Sequence, residues 1–239
     1  MRRGSSWPVI VQTAGGVFIT KLRGAAQGVP PLIAEIIVAE LATTLGLSVP
    51  ERTIVTFEEG LPSDDRNDEL ADLLGRSIGP NLGFRFLKGA TDLGPNDLGR
   101  IDREFAARVL WLDGLAMNPD RTARNPNILV WNRQPWLIDH GAALGFHYDW
   151  ADVSEATPRE PRFDLSTHLF GVHAHEAADL DAGLAALVSR DALALAAGQV
   201  PDDFLETAFP STPPVRTRAA YVAFLWKRLK APRPFVVPS

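Results

Sequence analysis

Residues 117 to 141 read MNPDRTARNPNILVWNRQPWLIDHG, and their order decides how the chain is read. Asp120 stands in a segment broken by Asn-Pro steps that runs to Asn125, a composition typical of loops. An apolar run from Ile128 to Trp131 follows, then a short polar turn, then Trp136-Leu137-Ile138 ending at Asp139-His140-Gly141. The pattern predicts loop, strand, turn, strand, loop, so that a tight hairpin returns Asp139 to the neighbourhood of Asp120 and Asn125.

An Asp, an Asn and a second Asp in that order suit phosphoryl transfer. The reaction needs little covalent help from a protein; it needs a carboxylate to orient the acceptor hydroxyl and oxygen ligands for magnesium. Asp120 fits the first role. Asn125 and Asp139 fit the second, because magnesium prefers hard oxygen donors and keeps part of its shell for water and phosphate. Taken singly, Asn-Pro-Asp, Asn-Pro-Asn and Asp-His-Gly are ordinary turn chemistry; the ordered set carries the reading.

The N-terminal half supplies what such a site still lacks. Trp7 to Thr13 and Val17 to Leu22 are β-type runs joined by Ala14-Gly15-Gly16, a predicted hairpin whose Gly15 and Gly16 would let backbone lie close over phosphates. Lys21, near the end of the second run, must face water or find an anion. Leu32 to Leu45 reads as a helix, with Pro30-Pro31 before it and Gly46 after it. Its apolar residues cover nearly the whole circumference, which predicts burial on more than one side. Glu35 and Glu40 are its charged residues, and a buried carboxylate needs a partner. Lys21 is the obvious one; Glu35, in the first turns, is preferred, with Glu40 as an ordinary surface residue.

Lys21 in FITKLRG, the helix closing as LGLSVPE, the strand-like LGFRFLKGA at Leu82 to Ala90, and above all NPDRTARNPNIL followed by LIDHGAALGFHYDW resemble the HipA-like kinase domain. The resemblance runs from about Trp7 to Trp150 and is most specific towards its end. It implies an α+β, two-lobed, protein-kinase-like fold, with a small mostly β N-lobe carrying one long helix and a mostly helical C-lobe. It also implies ATP and Mg2+ as cofactors, Asp120 as catalytic aspartate, Asn125 and Asp139 as metal ligands, Lys21 as the phosphate-gripping lysine, and the backbone around Phe84 to Phe86 as the adenine hinge. The acceptor it implies is a Ser or Thr hydroxyl of a protein, while the Asp-Arg-x-x-x-Asn loop, shared with phosphoinositide kinases, leaves a lipid or small alcohol open. The chain begins almost at the first strand, so the N-terminal subdomain of the HipA toxins, antitoxin pairing and growth arrest are not expected. His140 stands where many protein kinases have Phe; its imidazole either orients Asp139 or packs.

Residues 1–90 are thus assigned to a nucleotide-gripping N-terminal lobe and 91–239 to a C-terminal lobe with the catalytic and metal-binding loops. Within the first, Glu58 to Asp72 reads as an acidic solvated loop centred on Asp64-Asp65-Arg66-Asn67-Asp68, and LGFRFLKGA as the last strand. Arg103 to Met117 has apolar residues at helical spacing and leads into the catalytic loop. Asp113 inside it either supports that loop or is an exposed helix residue. Helices are expected around Asp179 to Ala197 and Arg216 to Leu229, separated by Pro-rich turns, with Pro232 to Pro238 as an extended tail.

At 239 residues and 46% hydrophobic, the chain can bury a substantial core. A net charge of -5 gives no reason to expect a nucleic-acid or anionic-membrane surface. The absence of cysteine excludes disulfides and thiolate metal sites. Arg2-Arg3 is not followed by an export signal's apolar core, and no run approaches the roughly eighteen apolar residues of a membrane helix; a cytoplasmic protein is expected. The rival readings are weaker. Asp139, His140, His147, His173 and His175 could in principle hold a hydrolase metal, but no His-Glu-x-x-His is present, and no G-x-S-x-G elbow marks a serine hydrolase. A kinase fold that binds ATP without transferring phosphate is the remaining alternative.

Overall fold

A computed structural model describes residues 8–60, 67–161 and 163–236. Trp7 of the first expected strand, Asp64-Asp65-Arg66 of the acidic stretch and Pro238 of the expected tail lie outside the described residues. The architecture is α+β, with an antiparallel sheet in the N-terminal part and helices in the C-terminal part.

Strands β1 (Val9–Thr13) and β2 (Gly16–Lys21) form the expected hairpin. Helix α1 (Pro30–Thr44) follows, with proline in its first turn, where the missing N–H loses no helical bond. Strand β3 (Arg52–Phe57), which the sequence reading did not single out, comes next. Helix α2 (Asp68–Gly75) corrects the expectation of loop as far as Asp72. Asn67 caps it by accepting from the Leu70 N–H at 3.2 Å, and Leu70 and Leu73 are buried beneath it. Strand β4 (Gly79–Arg85) starts earlier and ends sooner than LGFRFLKGA suggested. The sheet order is β1-β2-β4-β3, with Lys21 opposite Leu82.

Strand β5 (Thr91–Asp92) then pairs with the hairpin of β6 (Ile128–Trp131) and β7 (Gln134–Leu137). The hairpin turn is Asn132-Arg133, both at positive φ (50° and 62°), the backbone that matches the twist of two paired strands. Between β5 and β6 lies α3 (Arg103–Ala116), which ends with Met117 in the left-handed region at φ 53° and releases the chain into the 118–127 loop. The later helices are α4 (Ala174–Leu187), α5 (Arg190–Gly198), α6 (Asp202–Ala208) and α7 (Pro214–Arg228). The single helical region expected around residues 179–197 is therefore two helices, broken where the Ser189 hydroxyl caps α5. Among the described residues, no helix is long and apolar enough to cross a membrane.

The apolar girth of α1 determines how the two parts fit. Ile33, Ala34, Val38 and Leu41 are inaccessible to water, and the helix packs against α3, α5 and α6. One hydrophobic core therefore runs from α1 through α3 to α7, while a smaller cluster of Leu22, Val55, Phe57 and Leu73 lies under the sheet. By packing, α1 belongs to the helical part as much as to the sheet.

The chain's end is tied to the helix that precedes the 118–127 loop. Arg228, wholly buried, donates to the carbonyls of Gly114 (Nη2, 2.9 Å) and Leu115 (Nε, 3.1 Å) at the end of α3, where a cation is favoured by the helix dipole. Phe235 packs edge-on against Trp111 at 5.5 Å and lies 5.2 Å below the Arg228 guanidinium. Gly114 makes room for it, since a Cβ there would sit 2.8 Å from the Phe235 ring. In an isolated helix, Gly to Ala is stabilising by about 1 kcal/mol. Here Gly114→Ala should instead destabilise by about 1 to 3 kcal/mol through overpacking. Urea unfolding of the variant checks this; a gain in stability would mean that Phe235 is not packed on α3.

Candidate active site

Lys21, at the end of β2, forms an ion pair with Glu35 of α1 and a second with Asp139, whose Oδ1 lies 2.5 Å from its Nζ. Glu35 is fully buried, whereas the Asp139 side chain is 43% exposed. Burial alone would lower the lysine pKa, but the two carboxylates more than reverse this and hold Lys21 protonated. The same ammonium outweighs the opposite effect of burial on Asp139 and keeps that carboxyl below its ordinary range. Glu40 faces the other way and pairs with Arg52 of β3. Asp139 has left-handed backbone, φ 57°, and Gly141 after it passes so close to α1 that a Cβ would lie 3.3 Å from Glu35 Oε1 and 3.2 Å from Pro31. A side chain at 141 would require Pro31 or Glu35 to give by a few tenths of an ångström.

The 118–127 loop is held from below by Asp113 of α3, whose carboxylate is fully buried. It accepts from Arg121 Nε at 2.5 Å and from Asn118 Nδ2 at 2.9 Å, and it lies 3.0 Å from His168 Nε2. Burial alone would raise its pKa; Arg121 and His168 prevail and hold it well below the usual carboxylate range. The exposed-residue alternative for Asp113 is thereby excluded. Arg121, also fully buried, further donates to the carbonyl of Asn127 at 2.6 Å. His140 packs beside it with Nδ1 3.4 Å from Arg121 Nη2, and burial together with the guanidinium pushes its pKa down to about 3, so the ring is neutral.

On this support stand Asp120 and Asn125. The Asp120 carboxylate accepts from Asn125 Nδ2 at 2.9 Å and from Asn127 Nδ2 at 3.1 Å, while its own N–H donates to Asn118 Oδ1 at 3.2 Å. Arg121, Asn118, Asn127 and His168 were not picked out as site residues from the sequence. The available signal was Asp113 itself, the one charge in the apolar second half of α3.

Both groups line one cavity of about 560 Å³, which Lys21 and Asp139 share with Asp120 and Asn125. The wall also includes the β2–α1 connection, through Ala25, Gln27 and Gly28, the start of α1, and Arg124, Gly141 and Ala142 from the two loops. Gly15, Gly16, Phe84 and Phe86 do not line it. Gly15 offers its carbonyl to Arg85 Nη1 at 2.7 Å, and a Cβ on Gly16 would collide with that same side chain. Phe84 is buried with its ring 6.0 Å from Lys21 Nζ, and the Phe86 N–H donates to Val17 at 2.9 Å, which commits it to the sheet. The histidines weighed as metal ligands are dispersed: His147 meets Tyr221, and His173 faces Glu176. Among the described residues, no group of three or more His, Cys, Asp or Glu is placed to hold a metal.

What remains is a cleft with a fixed cation, a carboxylate gripped by two amides, and two further oxygen donors. A family model described as HipA-like kinase matches residues 1–175. The chain belongs to the HipA-like kinase family. A search of curated proteins finds no match. Among solved structures, the chain resembles the crystal structure of a Helicobacter pylori proinflammatory kinase, CtkA. The TM-score is 0.55 at 11% identity, over 96% of this chain and 93% of that one, a likeness of fold. Family and fold together support a kinase-type phosphotransferase.

The network beneath the loop has a measurable signature. Asp113→Ala leaves Arg121 and His168 buried without their carboxylate and should destabilise by about 3 to 5 kcal/mol in urea unfolding. Because the folded pKa of Asp113 lies below its unfolded value near 3.8, its contribution is complete above that value and is lost as pH falls from there. The variant should therefore show a flatter acid limb than the wild type; identical limbs would remove Asp113 as the loop's support.

Proposed function

We propose that this chain transfers the γ-phosphoryl group of ATP, with Mg2+, to a hydroxyl acceptor, a Ser or Thr of a protein. The observation that carries the reading is the shared cavity, which brings the Lys21–Glu35–Asp139 cluster against the Asp120–Asn125 pair in a volume suited to a small-molecule ligand. Lys21 binds nucleotide phosphates, and buried Glu35 fixes the direction of its ammonium. Asp120, with one carboxylate oxygen gripped by two amides, presents the other to the acceptor hydroxyl and takes its proton. The donor set fits magnesium: Asn125 gives its amide N–H to Asp120, which turns its oxygen elsewhere, and Asp139 is half-exposed to the cleft. Bound there, the ion would supply charge neutralisation at the phosphates. The protein acceptor is supported by the family.

Two variants test the division of labour by titration calorimetry with Mg·ATP and by single-turnover kinetics. Asp120→Ala should slow transfer by about a hundredfold to ten-thousandfold and leave Mg·ATP affinity nearly unchanged, because the proton acceptor works near the transition state. Asp139→Asn should abolish transfer and weaken Mg·ATP binding while the thermal unfolding midpoint holds. Equal loss of ATP binding in Asp120→Ala would make that residue a structural or metal-binding group. Full turnover in Asp139→Asn would remove it from the site.

A further inference from the structure

Arg124 is the second cation on the cavity wall, beside Asp120, Asn125 and Asp139. Its side chain is exposed to the cavity and has no hydrogen-bond or ion-pair partner among the described residues. The backbone that carries it is held closely, since Thr122 and Asn125 exchange N–H to carbonyl bonds of 3.0 and 3.1 Å across it. Thr122 is in turn bridged to His168, which touches Asp113. A guanidinium without a partner, carried on a turn that is itself held, is open to an anion that enters the cavity.

Lys21 cannot fill that role alone. Two carboxylates already face it, so its ammonium is engaged before any phosphate arrives. The groups on the acceptor side of the cleft, Asp120 and Asn125, are anionic or neutral. Phosphoryl transfer gathers charge on the three equatorial oxygens of the moving group, midway between donor and acceptor. Arg124 rises from the loop that carries Asp120, immediately precedes Asn125 and lines the same cavity as Lys21.

Resting on the nucleotide reading above, we infer that Arg124 is a catalytic residue that grips the non-bridging oxygens of the transferring γ-phosphoryl group. In the step, the acceptor oxygen forms a bond to Pγ and gives its proton to Asp120. The bond from Pγ to the β–γ bridging oxygen breaks, and its electron pair leaves with ADP. Arg124 donates N–H bonds throughout and transfers no proton. Its planar fork can hold two phosphoryl oxygens at once, which a lysine ammonium at the same place cannot.

The test compares wild type, Arg124→Gln and Arg124→Lys, using Mg·AMP-PNP for the ground state and Mg·ADP with aluminium fluoride for the transition state. Single-turnover transfer from ATP to casein, or to water in its absence, gives the rate. Arg124→Gln should keep its thermal midpoint and AMP-PNP affinity, yet bind ADP–aluminium fluoride and turn over roughly a thousandfold less well. Arg124→Lys should recover only part of both. Added guanidinium ion at millimolar concentration should restore rate to Arg124→Gln and not to Asp120→Ala, a response that a structural role would not give. Unchanged binding of ADP–aluminium fluoride by Arg124→Gln, or loss of AMP-PNP affinity in step with rate, overturns the inference. Failure of the wild type itself to bind Mg·AMP-PNP overturns the nucleotide reading, and this inference with it.

Discussion

A carboxylate shut away from water is tolerated only when every oxygen is answered, and Asp113 imposes that constraint on the whole loop region. Its three partners come from two segments: Asn118 and Arg121 from the loop that follows α3, and His168 from far beyond it. None of these can move without stranding the others, because a buried ion pair that loses one member is strongly destabilising. The cleft residues inherit that rigidity. Asn118 receives the N–H of Asp120, Arg121 holds the carbonyl of Asn127, and Asn127 in turn grips the Asp120 carboxylate.

The opposite wall of the cleft is fixed differently, by shape more than by charge. Helix α1 is apolar around its circumference and is enclosed by α3, α5 and α6, so Glu35 is set in place by the packing of its neighbours. Lys21 then bridges from the sheet to that helix and on to Asp139. Arg23, just past β2, adds a tie to Asp203 of α6 at 2.7 Å. The sheet and the terminal helices thus meet on both sides of the strand end that carries Lys21.

What was legible in the sequence follows from these physical differences. The β6–β7 hairpin and α1 could be read because apolar period and turn residues act locally, and Glu35 could be matched to Lys21 because a lone buried carboxylate needs a cation. Strand β3 escaped notice because its alternation is short and half of it faces solvent. Helix α2 was hidden by its acidic sequence, although Asn67 and the Asp68–Glu69 start are what the first turn of a helix favours. Gly15 and Gly16 made a hairpin as expected, while Ala25, Gln27 and Gly28 of the β2–α1 connection line the cavity. Nothing local shows that the Arg121 guanidinium turns inward, or that His168 returns to Asp113. Long-range pairing of polar groups leaves no period in the chain.

The clasp between Arg228, Phe235 and the end of α3 has a consequence for how the molecule comes into being. The carbonyls of Gly114 and Leu115, just before the loop of Asp120, are satisfied by Arg228 of the final turn of α7, against which Phe235 packs. Arg228 stands 113 and 114 positions further along the chain than those carbonyls, so this contact has a long sequence separation and forms more slowly than the local β6–β7 hairpin. A protein of this design completes the support of its cleft late in folding, when α7 and the segment after it dock on α3.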